Sequence, residues 1–261
     1  MTLIVAQITD PHVRIGPGDA GSAEALGAAV RAVAGVEPAP SAVLLTGDLT
    51  DHASATEYEL VAELIAPLSM PVHVLAGNHD DADALRAHLG APGPTGEPLQ
   101  YTADLGGLRL VACDTTVAGR DDGALGPERL AWLETELAAD ADTPTILAMH
   151  HPPLRTGVPV IDDLGLAAED CAAVGELVAR HPQVQRIVAG HVHRAATGLV
   201  GGCAVFVCPS SYVQLALDLT EDASLMLVRE PPGFGLHFAI DGELTSHVQP
   251  IGDYGPPFRL S

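Results

Sequence analysis

The chain has 261 residues and a formal net charge of −22, with 34 acidic side chains against 12 basic ones. All 12 basic side chains are arginines, which excludes a P-loop lysine, a pyridoxal Schiff base and a lysine general base. The acidity also disfavours a nucleic-acid polymer as partner, because such binding depends on positive side chains at the phosphates.

Short runs rich in Val, Ile and Leu recur along the chain and have the length of buried strands. The predicted strands are Leu3–Thr9, Ala42–Thr46, Val72–Ala76, Leu108–Cys113, Thr145–Met149, Arg186–Ala189 and Ala204–Cys208. Their lengths and β-branched content favour strands over helices at these positions.

Helical patterns with defined ends separate several of these strands. Ser54 and Glu57 form an S-x-x-E capping box before an apolar stripe at 3.6-residue spacing. Asp81 can cap a further helix that Gly90 ends, and Pro127 stands in the first turn of another. We therefore expect strands and helices to alternate in the first half of the chain.

The second half changes character after a last amphipathic stretch over residues 166–180. From about residue 200 the apolar runs are shorter, and turn signals at Gly201–Gly202 and Asp241–Gly242 favour antiparallel strands. Two packed sheets, one largely parallel, with helices outside would accommodate both halves. Because no linker or repeat is visible, we expect residues 1–261 to form one α/β domain.

Side chains that can bind metals follow five of the predicted strands. They are Asp10 and His12, then Asp48, then Asn78, His79 and Asp80, then His150 and His151, and finally His191 and His193. In open α/β sheets ligands bind outside the carboxyl ends of the strands, so these groups can converge. Each motif taken alone is more simply interpreted as a turn or a helix cap. All five together predict a functional site, whereas the other six histidines are interpreted as surface or packing residues.

The candidate metal ligands are too numerous for one tetrahedral zinc site. They are Asp10, His12, Asp48, Asn78, His150, His191 and His193. Seven mixed oxygen and nitrogen donors suit two divalent cations that share a carboxylate, with Mn²⁺, Fe²⁺, Zn²⁺ or Co²⁺ favoured over Mg²⁺ and Ca²⁺. Two such cations, two aspartates and a bridging hydroxide leave one positive charge, which a monoanionic phosphodiester would neutralise.

The motifs D-x-H, GD, GNHD, HHPP and GHVH over residues 4–193 resemble the calcineurin-like metallophosphoesterase superfamily. The resemblance implies a four-layer αββα sandwich of two mixed sheets. It implies two metal sites, which share Asp48. The first would use Asp10, His12, Asp48 and His193, and the second Asp48, Asn78, His150 and His191. It also implies that His79 contacts the scissile phosphate or protonates the leaving oxygen, that Asp80 orients His79, and that His151 lies behind the ligands or faces the substrate.

Within the superfamily, the segments GNHDD, MHHPP and PSSYVQ look most like bacterial class III cyclic-nucleotide phosphodiesterases and glycerophosphodiesterases. The chain lacks the GDxVDRG and GNHE motifs of protein phosphatases, and Asp51 stands where purple acid phosphatases have tyrosine. We therefore expect an enzyme that hydrolyses a small phosphodiester by a metal-bridging hydroxide. The substrate pocket would be walled by the segments after His12, around residues 156–163 and around Tyr212.

Three other functions fit parts of the sequence. A phosphomonoesterase or nucleotidase could use the same metal centre. A non-catalytic scaffold of this fold would be expected to lack ligands, and none is missing here. A repair nuclease is disfavoured by the acidic charge, because it would need a basic surface for DNA.

The sequence also indicates where the protein acts. Four cysteines at positions 113, 171, 203 and 208 lack C-x-x-C spacing and are expected to be reduced. No leader or membrane-length apolar run is apparent, which favours a cytoplasmic protein without a membrane partner. Relatives imply a homo-oligomer, a dimer or larger, and Phe234 and Phe258 are candidate contact residues.

Overall fold

The computed structural model describes residues 3–17, 19, 21–256 and 258–259. In this part of the chain the strands are β1 (Leu3–Ile8), β2 (Ala42–Thr46), β3 (Val72–Leu75), β4 (Tyr101–Asp104), β5 (Arg109–Ala112), β6 (Thr145–Ala148), β7 (Val184–Ala189), β8 (Ala196–Val200), β9 (Cys203–Val207), β10 (Gln214–Leu215), β11 (Leu227–Val228), β12 (Gly233–Ile240) and β13 (Glu243–Pro250). The helices are α1 (Ser22–Ala34), α2 (Ala55–Ile65), α3 (Ala82–Leu89), α4 (Gly126–Ala139), α5 (Pro159–Asp162) and α6 (Ala168–Arg180). None of these helices is long and apolar enough to cross a bilayer.

Two large mixed sheets contain most of the strands. The first has the order β13-β12-β1-β2-β3, in which β1, β2 and β3 are parallel and β12 and β13 are antiparallel. The second has the order β4-β5-β6-β7-β9-β8, with β5, β6, β7 and β9 parallel and the edge strands β4 and β8 antiparallel. Strands β10 and β11 form a separate two-stranded sheet.

Three buried apolar layers hold the sheets and helices together. Because successive strand residues face opposite sides of a sheet, Ile4 of β1 packs among residues of α1, α2 and α3, whereas Val5 packs between the two sheets. On the outer side of the second sheet, Leu147 of β6 packs in one cluster with Leu133 of α4 and Val174 of α6. The resulting order of helices, sheet, sheet and helices confirms the four-layer sandwich.

The helix ends predicted from the sequence are confirmed. Ser54 caps α2 by accepting from the Glu57 N–H, and the Glu57 carboxylate accepts from the Ser54 N–H at 3.2 Å. Asp81 caps α3 by accepting from the Ala84 N–H at 2.8 Å, and Gly90 ends that helix with φ 68°. Local capping interactions therefore determine where α2 and α3 begin and where α3 ends.

Some elements were not predicted from the sequence, and the prediction that Phe234 forms a subunit contact is wrong. Helix α1 begins after Gly21 without a side-chain cap, and β4 and β8 are edge strands whose partly exposed residues interrupt any apolar run. Phe234 is 1% exposed because it lies in the core of the first sheet, so it cannot form a subunit contact. Phe258 is 85% exposed.

The carboxyl ends of the parallel strands in both sheets meet at one edge. The Asp10 N–H donates to the Gly47 carbonyl at 3.1 Å and joins the loops after β1 and β2. The side chain of Gln7 in β1 donates to the Ala189 carbonyl at the end of β7 at 3.0 Å, which links the two sheets. The loops that carry the predicted site residues are thereby brought together.

Candidate metal centre

The first group of donor atoms comes from the loops after β1, β2 and β7. Oxygens of Asp10 and Asp48 and ring nitrogens of His12 and His193 all lie within 4.8 Å of one another. The distances are 2.9 Å between the Nε2 atoms of His12 and His193 and 3.4 Å from His12 Nε2 to Asp48 Oδ2. Ligands about 2.1 Å from one cation are spaced about 3.0 to 3.4 Å apart, so this group has the spacing of a metal site.

The hydrogen bonds of the two histidines leave no proton between them. His193 Nδ1 lies 3.0 Å from the Val213 carbonyl, and His12 Nδ1 lies 3.3 Å from Asp51 Oδ1. Both partners accept only, so we assign the ring protons to the Nδ1 atoms. The Nε2 lone pairs then face each other and the carboxylates, an arrangement that a cation would stabilise.

The second group combines Asn78 with two histidines from the loops after β6 and β7. Asn78 Oδ1 lies 3.1 Å from His150 Nε2 and 3.1 Å from His191 Nδ1. His150 Nδ1 donates to the Thr46 carbonyl at 2.9 Å, so in the neutral ring Nε2 is a lone pair that faces oxygen acceptors. Nε2 of His191 is buried without a hydrogen-bond partner among the described residues. Hydrogen bonds alone therefore do not account for this group.

Asp48 joins the two groups. Its Oδ2 lies 3.4 Å from His12 Nε2 in the first group and 3.4 Å from His150 Nε2 in the second. Its Oδ1 accepts from the main-chain N–H of His79 at 2.9 Å. One oxygen of Asp48 is thus fixed by the protein, and the other faces both groups.

Charges within the cluster depend strongly on one another. Burial disfavours a charged His150, but the Asp48 carboxylate outweighs this effect and raises the pKa of His150 to about 9. Burial also raises the pKa of Asp10 to about 6, and the charge of Asp48 contributes to that rise. Protons and divalent cations would therefore compete for the same donor atoms.

Two glycines of the motifs leave room for the donors. A Cβ atom at Gly77 would overlap the Asp48 carboxylate, and one at Gly190 would overlap Thr9 Oγ1 and lie 2.7 Å from Asp10 Oδ2. Neither glycine has a positive φ. These positions need glycine for space, which is why GNHD and GHVH begin with it.

Five of the seven predicted metal residues have left-handed backbone conformations. The φ angles are 50° at Asp10, 43° at His12, 51° at Asp48, 67° at His191 and 51° at His193. Such conformations cost about 1 to 3 kcal/mol each for residues other than glycine and collect at functional sites. The backbone is therefore strained where the donors converge.

His79 and Asp80 follow Asn78 but have different surroundings. The His79 ring is partly exposed, and burial opposes its charged form, yet Asp48 and Asp51 raise its pKa overall. The ring contact expected from Asp80 is made instead by Asp51, whose carbonyl lies 3.0 Å from His79 Nδ1. Asp80 accepts from the main-chain N–H groups of Leu49, Thr50 and Gly77 and so fixes the loops.

His151 lies behind the donors and is not among the described residues that line the neighbouring cavity. Its ring is fully buried, and burial lowers its pKa to about 3. Both ring nitrogens form hydrogen bonds, Nδ1 with the Thr115 hydroxyl at 2.8 Å and Nε2 with the Asp121 carbonyl at 3.1 Å. His151 thus supports the rings of His150 and His191, which it contacts.

Sequence reasoning did not assign a role to Asp51, and no motif identified one. Its carboxylate accepts from Arg14 Nε at 2.8 Å and contacts His12 Nδ1. The exposed His52, interpreted as a surface residue, lies 3.4 Å from Asp51 and also pairs with Glu57. Asp51 therefore connects a candidate ligand, an arginine and His79.

A cavity of about 500 Å³ opens beside the donor atoms. Its walls include residues from all three segments expected to form the pocket, such as Arg14, Ile161 and Tyr212. Another part of the wall was not expected and comes from β10, β11 and the connection between them. The volume is typical of a site for a small organic ligand.

Comparison with known proteins agrees with the fold and the motifs. The profile of the calcineurin-like phosphoesterase family matches residues 3–195, and the chain belongs to this family. It is 31% identical to a probable glycerophosphodiester phosphodiesterase GpdQ of Arcobacter nitrofigilis over 98% of this chain and 96% of that protein.

Two further comparisons extend the relationship. The chain is 33% identical to the 3',5'-cyclic adenosine monophosphate phosphodiesterase CpdA of Vibrio vulnificus over 84% of this chain and 78% of that protein. A crystal structure of a dimetal phosphatase from Danio rerio has a TM-score of 0.73 and 16% identity, with 96% of each chain covered. At that identity the last comparison shows likeness of fold alone.

Proposed function

We propose that this protein hydrolyses a small phosphodiester with the help of two divalent cations, Mn²⁺, Fe²⁺, Zn²⁺ or Co²⁺. Asp10, His12, Asp48 and His193 would hold one cation. Asp48, Asn78, His150 and His191 would hold the other. When bound, such a pair lowers the pKa of a water molecule and neutralises charge on the phosphoryl oxygens. The observation that carries the proposal is the equal distance of Asp48 Oδ2 from His12 and His150, 3.4 Å to each.

The chain's own residues would orient the substrate and transfer the proton. The His79 side chain lines the cavity, and its pKa is raised. It is therefore suited to protonate the leaving oxygen. Its contact with the Asp51 carbonyl holds the ring in place. Asp80 acts as a positioning residue through the loops that it fixes, and glycerophosphodiesters and cyclic nucleotides are the candidate substrates suggested by the relatives.

The charge of the cavity favours a diester over a monoester. Apart from the metal donors, the charged side chains among its described lining residues are Arg14, Arg229 and protonated His79 against Asp19, Asp51 and Asp121. These side chains supply no excess positive charge for the second negative charge of a phosphomonoester. A monoanionic diester therefore fits the site better, and the monoesterase alternative is disfavoured.

Turnover of matched substrates tests this function. The protein is loaded with Mn²⁺ and assayed with bis(4-nitrophenyl) phosphate and 4-nitrophenyl phosphate, which release the same phenolate. We expect kcat/KM to be at least about tenfold higher for the diester, which corresponds to about 1.4 kcal/mol of transition-state free energy. A preference for the monoester would overturn the assignment.

We further propose a single-domain, cytoplasmic homo-oligomer. The four cysteines are free, which suits a reducing compartment. Exposed Phe258 is a candidate subunit contact. Sedimentation of the wild type and of Phe258→Ser would test that contact, because loss of the oligomer is expected only if this side chain is buried between subunits.

A further inference from the structure

A small hairpin supplies an apolar wall to the cavity. Strands β10 and β11 pair antiparallel, with Leu215 opposite Leu227 and Gln214 opposite Val228. Leu215, Leu225, Leu227 and Val228 of this hairpin line the cavity. These four residues are called the apolar wall.

Part of the apolar wall is left in contact with water. Leu225 is 51% exposed and Leu227 is 53% exposed, although both border the cavity. Ile161 and Leu164, near α5, add apolar surface to the same cavity. A ligand with an apolar group could cover these side chains, and removal of apolar surface from water is favourable.

The hairpin is hydrogen-bonded directly to the candidate metal ligand His193. The Leu215 N–H donates to the His193 carbonyl at 3.1 Å, and His193 Nδ1 donates to the Val213 carbonyl at 3.0 Å. Arg194 donates to the Leu215 carbonyl at 2.8 Å and pairs with Glu230 beyond β11, also at 2.8 Å. Both strands are therefore tied to the segment that carries His193, and the wall has a fixed position relative to the donor atoms.

We propose that the apolar wall determines substrate specificity and selects phosphodiesters that carry a large apolar or aromatic ester group. This inference rests on the proposed function, because it takes the phosphoryl group to lie at the metal donors. A small polar alcohol such as glycerol would leave Leu225 and Leu227 in water. An aromatic ring beside the phosphoryl group would cover them.

Two diesters with the same leaving group, compared in the wild type and in variants of the apolar wall, distinguish the effect of the wall from the intrinsic reactivity of the esters. Methyl 4-nitrophenyl phosphate and 1-naphthyl 4-nitrophenyl phosphate carry the same charge and both release 4-nitrophenolate. For the Mn²⁺-loaded protein we expect kcat/KM to be about tenfold higher or more for the naphthyl ester, the range in which a hydrophobic pocket discriminates. Leu225→Asn and Leu227→Asn should each lower the naphthyl-to-methyl ratio several-fold.

Matched controls lie on the same hairpin. Leu217 and Leu219 are 59% and 62% exposed and do not line the cavity, so Leu217→Asn and Leu219→Asn should keep the wild-type ratio. Equal kcat/KM for both esters, or an unchanged ratio in the Leu225 and Leu227 variants, would overturn the role of the wall while the proposed function stands. Failure to hydrolyse either ester would instead overturn the proposed function.

Discussion

The main-chain N–H of His79 donates a 2.9 Å hydrogen bond to Oδ1 of Asp48. This bond orients the carboxylate so that Oδ2 faces the rings of His12 and His150. The loop that holds the donor is itself fixed, because the Gly77 N–H donates to Asp80 Oδ2 at 3.0 Å. The position of the shared ligand thus depends on the exact path of residues 77–80.

Replacement of Gly77 by alanine should disable the site. The added Cβ would overlap the Asp48 carboxylate and displace it. We expect kcat/KM for a diester to fall by about 100-fold, as misplacement of a reacting group by about 1 Å can cause. Gly175→Ala in α6 is the control, because its Cβ would meet its neighbours at 3.5 Å or more and should leave activity unchanged. Wild-type activity in Gly77→Ala would contradict this account of the loop.

Asn78 offers a test of the second donor group. Asn78→Ala removes the oxygen that lies 3.1 Å from both His150 Nε2 and His191 Nδ1, without adding bulk. We expect activity to fall by orders of magnitude while the thermal unfolding of the protein stays cooperative. Asn78→Asp keeps an oxygen donor there and should retain more activity than Asn78→Ala at saturating Mn²⁺. Equal activities for the two variants would show that the oxygen does not bind metal.

Replacement of Asp51 should weaken the binding of metal ions. The hydrogen bond from His12, aided by Arg14, holds the pKa of Asp51 well below its usual range despite partial burial, so the group is charged at neutral pH. Removal of such a partner of a ligating histidine typically weakens metal binding about 10- to 100-fold. Asp51→Asn should therefore raise the Mn²⁺ concentration needed for half-maximal activity. Asp104→Asn, at an exposed turn, is the control.

Buried His237 should make folding sensitive to acid. Its ring bonds to Gln7 Oε1 at 3.1 Å and Ser246 Oγ at 2.8 Å, and burial, with a contribution from Arg186, lowers its pKa from 6.5 to about 3. Between these values the unfolded chain binds a proton that the folded protein does not, so stability falls as the pH falls. His237→Gln should reduce the slope of unfolding free energy against pH between 4 and 6 by up to about 1.4 kcal/mol per pH unit. An unchanged slope would show that His237 is not the group responsible.

The seven candidate ligands could be predicted from the sequence because their positions follow from general rules. Asp10, Asp48 and Asn78 come directly after buried parallel strands, and the carboxyl ends of such strands meet at one edge. The two capped helices were predictable for a similar reason, since capping depends on residues a few positions apart. Periodicity and local chemistry thus determined much of the first half of the chain.

Features that depend on distant contacts could not be predicted. Asp51 lies in an ordinary GDLTD turn, and its role becomes visible only when His12 and Arg14 approach it from another loop. Three residues of the apolar wall lie in strands of two residues each, too short for a periodic signal, and Leu225 lies in the connection between them. The positive φ angles at residues such as Asp10 arise because tertiary contacts override local preference.

An anomalous-scattering experiment on crystals grown with Mn²⁺ tests the central claim most directly. The claim is that Asp48 lies between two metal sites, one formed with His12 and one with His150. We predict two manganese peaks about 3.5 to 4 Å apart, on either side of Asp48 Oδ2. A single peak, or peaks away from Asp48, would contradict the proposed metal centre.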